Sequence, residues 1–349
     1  MKQVAIVGIQ GVPARYGGFE TLVENIIGDN CCSEVRYTVF CSGKDYAARM
    51  KTYKGAQLKY VPLFHANGAQ SAPYDILSML KCLRGYDAVL VLGVSGCIFL
   101  PIFRLLYRKR LIVNIDGLEH RRAKWGRFAK WFLRTSEAMA VRYADVVITD
   151  NKGIQDYVTS TYHKHSELIA YGGNHVLKDV PMMRQNEILE KYGLIKKEYA
   201  VSICRIALEA FAEMGQKLVF IGNWKYSTYG KELQRKYSNY PNICMLSAVY
   251  ALDVLYTLRN NARVYIHGHS AGGTNPSLVE AMFFGKPIWA YDVGYNRETT
   301  ENEACYFQNC EQLVKLLHGT EESGELLKEI AERRYTWKYI AKQYEALYE

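Results

Sequence analysis

One feature constrains this chain more than any other: short apolar β-rich runs alternate with longer amphipathic stretches, and the series occurs twice along its length. In the first half the runs are Val4–Ile9, Arg36–Phe40, Leu58–Val61, Ala88–Leu92, Leu111–Ile115, Val146–Thr149 and Ser166–Ile169. Helix-period patterns such as Phe19–Ile27, Tyr74–Leu83 and Trp125–Tyr143 separate them. Continuously apolar strands spaced by helices predict a parallel sheet covered on both faces. The rhythm pauses around Tyr171–Asn174 and a charged helix, Asn186–Tyr192. It resumes with strands at Tyr199–Ile206, Lys217–Ile221, Ile243–Leu246, Val264–Ile266 and Pro287–Tyr291. The fold expected is α/β: two Rossmann-like doubly wound domains, residues 1–172 and 173–325, with ligands bound at the carboxyl ends of the strands. A length of 349 residues suits two such domains.

Composition narrows the class. With 49% hydrophobic and 23% charged residues the chain can bury two cores, which excludes disorder. A net charge of +9, from 44 basic and 35 acidic residues, favours anionic partners without choosing among phosphate, nucleic acid and membrane. Nine cysteines without a CxxC pair or a zinc-ligand spacing predict reduced thiols. Met1–Val7 runs straight into a strand, so no signal peptide is expected. The longest uncharged stretch, Ala88–Phe103, is broken by Gly93, Gly96 and Pro101 and falls short of the ~20 residues that span a bilayer. A soluble cytoplasmic chain is the expectation.

Two glycine-rich turns are candidates for chemistry. The first βα turn contains Gly8, Gly11, Gly17 and Gly18, where backbone amides could meet a phosphate. Its spacing is not G-x-G-x-x-G, and Phe40-Cys41-Ser42-Gly43 supplies no acid after the second strand, which disfavours a dinucleotide site. That these glycines only make a tight turn stays open. The second turn, His267–Asn275, leads into a helix near Pro276, a favoured first-turn residue. Glu280 then stands among Leu278, Val279, Ala281 and Met282, where burying a carboxylate requires a partner. A solvated glutamate on an exposed face is the alternative.

This loop and helix, followed by Gly285-Lys286-Pro287-Ile288, resembles the donor-binding signature of family 4 of the retaining glycosyltransferases, which have the GT-B fold. Pro13–Glu20, Asp116-Gly117-Leu118-Glu119, Gly272–Ser277 and Tyr335-Thr336-Trp337 resemble the bacterial rhamnosyltransferase-like subgroup that builds capsular and other cell-surface polysaccharides. The resemblance implies two domains facing each other across a cleft, with a C-terminal helix, within 326–349, packing back toward the N-terminal domain. It implies a hexosyl or deoxyhexosyl transfer, rhamnosyl favoured, from a nucleoside diphosphate sugar to a polyprenyl-linked or saccharide acceptor. The nucleotide sugar is a substrate, so no cofactor is expected. Glu280 would grip the donor ribose, Arg205 would neutralise the diphosphate, and Gly17 and Gly18 would approach it from the other domain. Asp116, Glu119 and His120 would line the acceptor side. The family's usual glutamate eight residues before the ribose-binding one is replaced by Gly272, which leaves sugar contacts to Gly272 and Gly273 amides, Thr274 and Asn275.

No Asp-x-Asp occurs, which argues against a metal-bridged diphosphate. A nucleotide-sugar 2-epimerase of the same architecture and a nucleotide-sugar-binding scaffold are the rival functions.

From Arg121 to Arg134 there are six basic residues and no acid, with Trp125, Phe128 and Phe132 at helical spacing. Docking on an anionic membrane and packing on a core with a basic rim are both open. Nucleic acid is not expected, since no nucleic-acid motif accompanies the charge. Finally, strand Tyr199–Ile206 passes into helix Ala207–Met214 with no connecting residue and no cap. A strand-to-helix connection takes about 2–6 residues, so residues are expected to be missing between Ile206 and Ala207.

Overall fold

The computed structural model describes residues 1–15, 17–28, 34–66, 68–121, 125–224, 227–249, 251–270, 272–319 and 323–349. The chain divides into two compact units. The first holds Met1–Gly172, Ala271–Thr274 and Trp337–Glu349; the second holds Gly173–Ser270 and Asn275–Thr336.

In the first unit the chain runs β1 (Lys2–Val7), α1 (Gly18–Gly28), β2 (Val35–Ser42), β3 (Thr52–Tyr53), β4 (Ala56–Val61) and α2 (Ser71–Leu80). It continues through β5 (Ala88–Leu92), α3 (Leu100–Leu106), β6 (Arg110–Asn114), α4 (Arg127–Tyr143), β7 (Val146–Thr149), α5 (Lys152–Tyr162) and β8 (Glu167–Leu168). These strands form one sheet in the order β3-β4-β2-β1-β5-β6-β7-β8, parallel except for the β3–β4 pair. The runs that pack it are the fully buried Val4–Val7 and Ala88–Leu92, sequences with no polar face to give to water.

The second unit contains α6 (Met182–Lys191), β9 (Tyr199–Ser202), α7 (Arg205–Met214), β10 (Lys217–Gly222), α8 (Thr228–Tyr237), β11 (Ile243–Ser247), α9 (Leu252–Asn260) and β12 (Val264–His267). Then come α10 (Pro276–Met282), β13 (Ile288–Tyr291), α11 (Gly294–Thr299), β14 (Cys305–Phe307), α12 (Cys310–His318) and α13 (Glu325–Arg334). Its sheet is parallel, in the order β11-β10-β9-β12-β13-β14. Each unit is thus a doubly wound α/β domain. The closing segment, whose pattern allows one or two helices, is two. Of these α13 belongs to the second unit, and α14 (Trp337–Ala346) to the first. Trp337, Ile340, Ala341 and Tyr344 form an i, i+3, i+4, i+7 stripe that joins the core of Leu22, Val23 and Ile26 on α1. The short β3 and β14 were not anticipated. The helix expected from Trp125 begins at Arg127.

The expected gap is corrected. β9 ends at Ser202, Ile203 and Cys204 connect, and α7 starts at Arg205, so Ile206 and Ala207 lie together inside one helix. The Ala207 N–H donates to the Cys204 carbonyl at 3.0 Å. Ile203 and Ile206 are β-branched and give the segment a strand-like pattern. Burial of Ala207, Leu208, Ala210 and Phe211 in the second core makes the segment helical from its first turn.

Candidate active site

The first glycine turn is held by its own helix. Glu20 and Glu24 of α1 reach back, Glu20 Oε1 accepting the Gln10 N–H at 2.9 Å and Glu24 Oε2 accepting the Ala14 N–H. Gly17, at φ +117°, lies so close to Glu20 that a Cβ there would stand 2.1 Å from its Oε2; Gly18 opens α1. Burial raises the Glu20 pKa above the ordinary carboxyl value. An anion approaching Gly17 would therefore meet a carboxyl group, and would do so without repulsion only while that group holds its proton.

After β6 the acceptor-side candidates separate into two groups. Asp116 adopts φ +59°, its N–H donating to Asn114 Oδ1 at 3.0 Å and its Oδ1 accepting from Tyr171 Oη at 3.4 Å. Asn114 in turn donates to Tyr344 Oη at 2.8 Å, which ties β6 to α14. Glu119 and His120 lie in a single 3-10 turn, Glu119–Arg121. Glu119 Oε2 accepts the Trp125 indole N–H at 3.2 Å. His120 Nδ1 is 2.9 Å from Oε2 of Glu137, a residue only 2% exposed, whose Oε1 accepts hydroxyls from Tyr157 at 2.9 Å and Tyr162 at 2.8 Å. Glu137, Tyr157 and Tyr162 carried no signal in the sequence beyond an acid inside an amphipathic helix.

Residues of the second glycine turn pack within the first unit. Gly272 adopts φ +119°, and a Cβ on Gly273 would stand 2.0 Å from Asp150 Oδ1. Thr274 donates its hydroxyl to the Asp150 carbonyl at 2.5 Å and accepts from Asn151 Nδ2 at 3.3 Å. In the second unit Asn275 caps α10, its Oδ1 accepting the Ser277 N–H at 3.0 Å. The Thr274 hydroxyl hydrogen and the Asn275 carbonyl oxygen are thus already engaged, which shifts weight to backbone amides at this turn.

Glu280 is placed by the second unit alone. Its side chain is 13% exposed, and Oε2 pairs with Nη1 of Arg259 on α9 at 2.7 Å, Arg259 being 7% exposed. Oε1 lies 3.5 Å from His175 Nε2. Burial here is compensated by a guanidinium, a partner the sequence did not single out. Gly173 allows it: a Cβ there would stand 3.0 Å from the Glu280 nitrogen. His267 is fully buried, stacked on His269, and its two ring nitrogens lack a hydrogen-bond partner among the described residues; burial drives its pKa well below the ordinary value. Arg205 sits in the first turn of α7, half exposed, 3.0 Å from Glu209. It therefore opens a helix instead of ending a strand.

Of the basic segment, Arg121, Arg127, Lys130 and Arg134 are described, and Arg122 and Lys124 lie outside the described residues. Leu133, Ala140 and Val141 of α4 face the core, while Phe128 is 77% exposed and Trp131 also stands in solvent. Trp125, Phe128 and Phe132 line a cavity of about 620 Å³ together with Ala66, Ala72 and Glu119.

Known proteins match in two ways. Residues 1–174 match the family described as Domain of unknown function (DUF1972), and residues 192–337 match Glycosyl transferases group 1. No curated protein matches the sequence. Among solved structures, sucrose-phosphate synthase from Thermosynechococcus elongatus is similar at a TM-score of 0.81 and 15% identity, over 100% of this chain and 98% of that one. HepE of Anabaena in complex with UDP-glucose is similar at 0.74 and 15%, over 99% of each chain. The catalytic domain of starch synthase IV from Arabidopsis thaliana, bound to ADP and acarbose, reaches 0.72 and 12%, over 99% and 98%. The chain therefore has the two-domain α/β fold of GT-B glycosyltransferases, and its residues 192–337 match the family described as Glycosyl transferases group 1.

Proposed function

We propose that the protein is a glycosyltransferase that takes its sugar from a nucleoside diphosphate sugar, without a separate cofactor. The observation that carries this reading is Glu280, a carboxylate held by Arg259 and His175 inside a group 1 domain. Fixed in this way, it can accept hydroxyl donors without reorganising, as a ribose diol requires. The UDP-glucose complex of HepE, which shares the fold, supports the donor class. As the donor's glycosidic C–O bond breaks, its electron pair passes to the β-phosphate oxygen. Arg205 of the second unit is the cation assigned to this step. The acceptor hydroxyl's proton goes to the departing diphosphate, so a front-face, retaining transfer needs no protein nucleophile.

Resemblance supports a deoxyhexosyl donor, rhamnosyl first, and a role in surface polysaccharide synthesis. Among the described residues no helix is long and apolar enough to cross a membrane. The stripe Arg127, Lys130 and Arg134 on α4, with exposed Ile102, Leu105 and Leu106 on α3, supports placement on an anionic membrane.

The test is Glu280→Gln. Losing charge-assisted bonds to the donor should cost about 1.5–3 kcal/mol, a rise of roughly 10- to 150-fold in donor KM. Release of nucleoside diphosphate and sugar from a nucleotide-sugar panel, followed by NMR, gives the reading. An unchanged donor KM would remove Glu280 from the site, and an interconverted nucleotide sugar would favour the epimerase.

A further inference from the structure

The cavity beside α4 is built for hydrocarbon. Its walls are Trp125, Phe128, Phe132, Leu133 and the small side chains of Ala72 and Ala129, and its volume of about 620 Å³ falls within the range of small-molecule sites. Its few polar groups are those of Ser71, Ser95 and Glu119. A sugar placed here would leave most of its hydroxyls without partners, at a cost that an alkyl chain does not incur. The cavity is also shaped in advance. The Trp125 indole is tethered to Glu119, and the Phe128 ring leans on Trp131 at 5.8 Å between centroids.

The sequence neighbours of these aromatic residues are cationic. Arg121, Arg127, Lys130 and Arg134 accompany these aromatic residues, and the sequence from Arg121 to Arg134 contains no acid. The 17-residue α4 begins at Arg127, and its N-cap, Gly126, brings no side-chain acceptor to the first-turn amides. A helix start of this kind favours negative charge. Apolar walls next to positive charge fit one ligand class, a single hydrocarbon chain with an anionic head.

We propose that this cavity binds the prenyl or alkyl tail of an acceptor whose head is a phosphate or diphosphate. The assignment to the acceptor rests on the transferase reading above, while tail binding itself does not.

Hexyl, octyl and decyl phosphate, each below its micelle concentration, are titrated against the full chain by calorimetry, with inorganic phosphate alongside. Each buried methylene contributes about fourfold, so decyl should bind roughly 200-fold tighter than hexyl. Ala129→Trp, and independently Ala72→Leu should the first fail to fold, should flatten that dependence while retaining the wild-type circular dichroism. Equal affinity across the series, or a slope unchanged in a folded variant, would overturn the proposal. So would binding to phosphatidylglycerol vesicles with none to the monomeric phosphates, which would assign α4 to surface docking. The donor thermal shift of the wild type is read separately. Its absence beside an intact chain-length slope would remove the transferase reading and leave the cavity standing.

Discussion

The two glycine-rich turns look alike in sequence and differ in what they do with their space. At the first, Gly17 makes room for the end of a flexible carboxylate, Glu20, which turns back on the loop and takes up the Gln10 amide. At the second, Gly273 makes room for Asp150, a neighbour 123 residues away in sequence, and Thr274 bonds that residue's carbonyl. The first turn is closed by local chain, and the second is pinned by a distant strand end. A run of glycines therefore reports close approach of something; only the neighbour tells whether that is the protein's own acid or a ligand.

The same contrast applies to the buried carboxylates, and the largest expected effect comes from there. Glu280 depends on a guanidinium, whereas Glu137 is satisfied by two tyrosine hydroxyls and a histidine. Arg259→Met should strip Glu280 of its charge partner and cost about 3–5 kcal/mol, read as the urea midpoint. A loss below 1 kcal/mol would mean that His175 suffices. Tyr162→Phe, which leaves Glu137 two donors, should cost far less by the same measurement.

Next in size are the glycines. Gly273→Ala should cost about 1–3 kcal/mol from overpacking against Asp150, and Asp150→Ala in the same chain should recover most of it. Gly17→Ala combines a clash with Glu20 and a backbone at φ +117°, so Glu20→Ala should relieve only the clash. Equal rescue at both sites in thermal melts would erase the distinction drawn between them.

The smallest effect concerns pH. Burial raises the Glu20 pKa, so above the ordinary carboxyl range the folded chain keeps a proton that the unfolded chain has lost. Stability then falls as pH rises through that window, and Glu20→Gln should remove the fall. The variant should melt higher than the wild type at pH 7.5, with the gap narrowing toward pH 4.5. A constant gap would mean that Glu20 stays ionised over Gly17.

Much of the fold was legible because strand and helix periods are local properties. The buried runs at Val4–Val7, Ala88–Leu92 and Val264–Ile266 had no polar face to offer, and the helices between them forced parallel sheets. The start of α7 was misread for the same reason: Ile203–Ile206 is locally strand-like, and the burial of Leu208 and Phe211 overrides it. Among the candidate residues, Glu280, His120 and the glycines could be named from the sequence. Their partners could not be named, since Arg259, Glu137, Tyr157 and Asp150 are brought in by packing across many residues, and a lone acid in a helix has no pattern that points to them. Sequence by itself determined most of the strands and helices, because hydrophobic period is written residue by residue, and left the start of α7 to packing. Tertiary structure alone decided which charges are paired, which glycines are filled and where a cavity stays open, because those depend on distances between segments that no local pattern encodes.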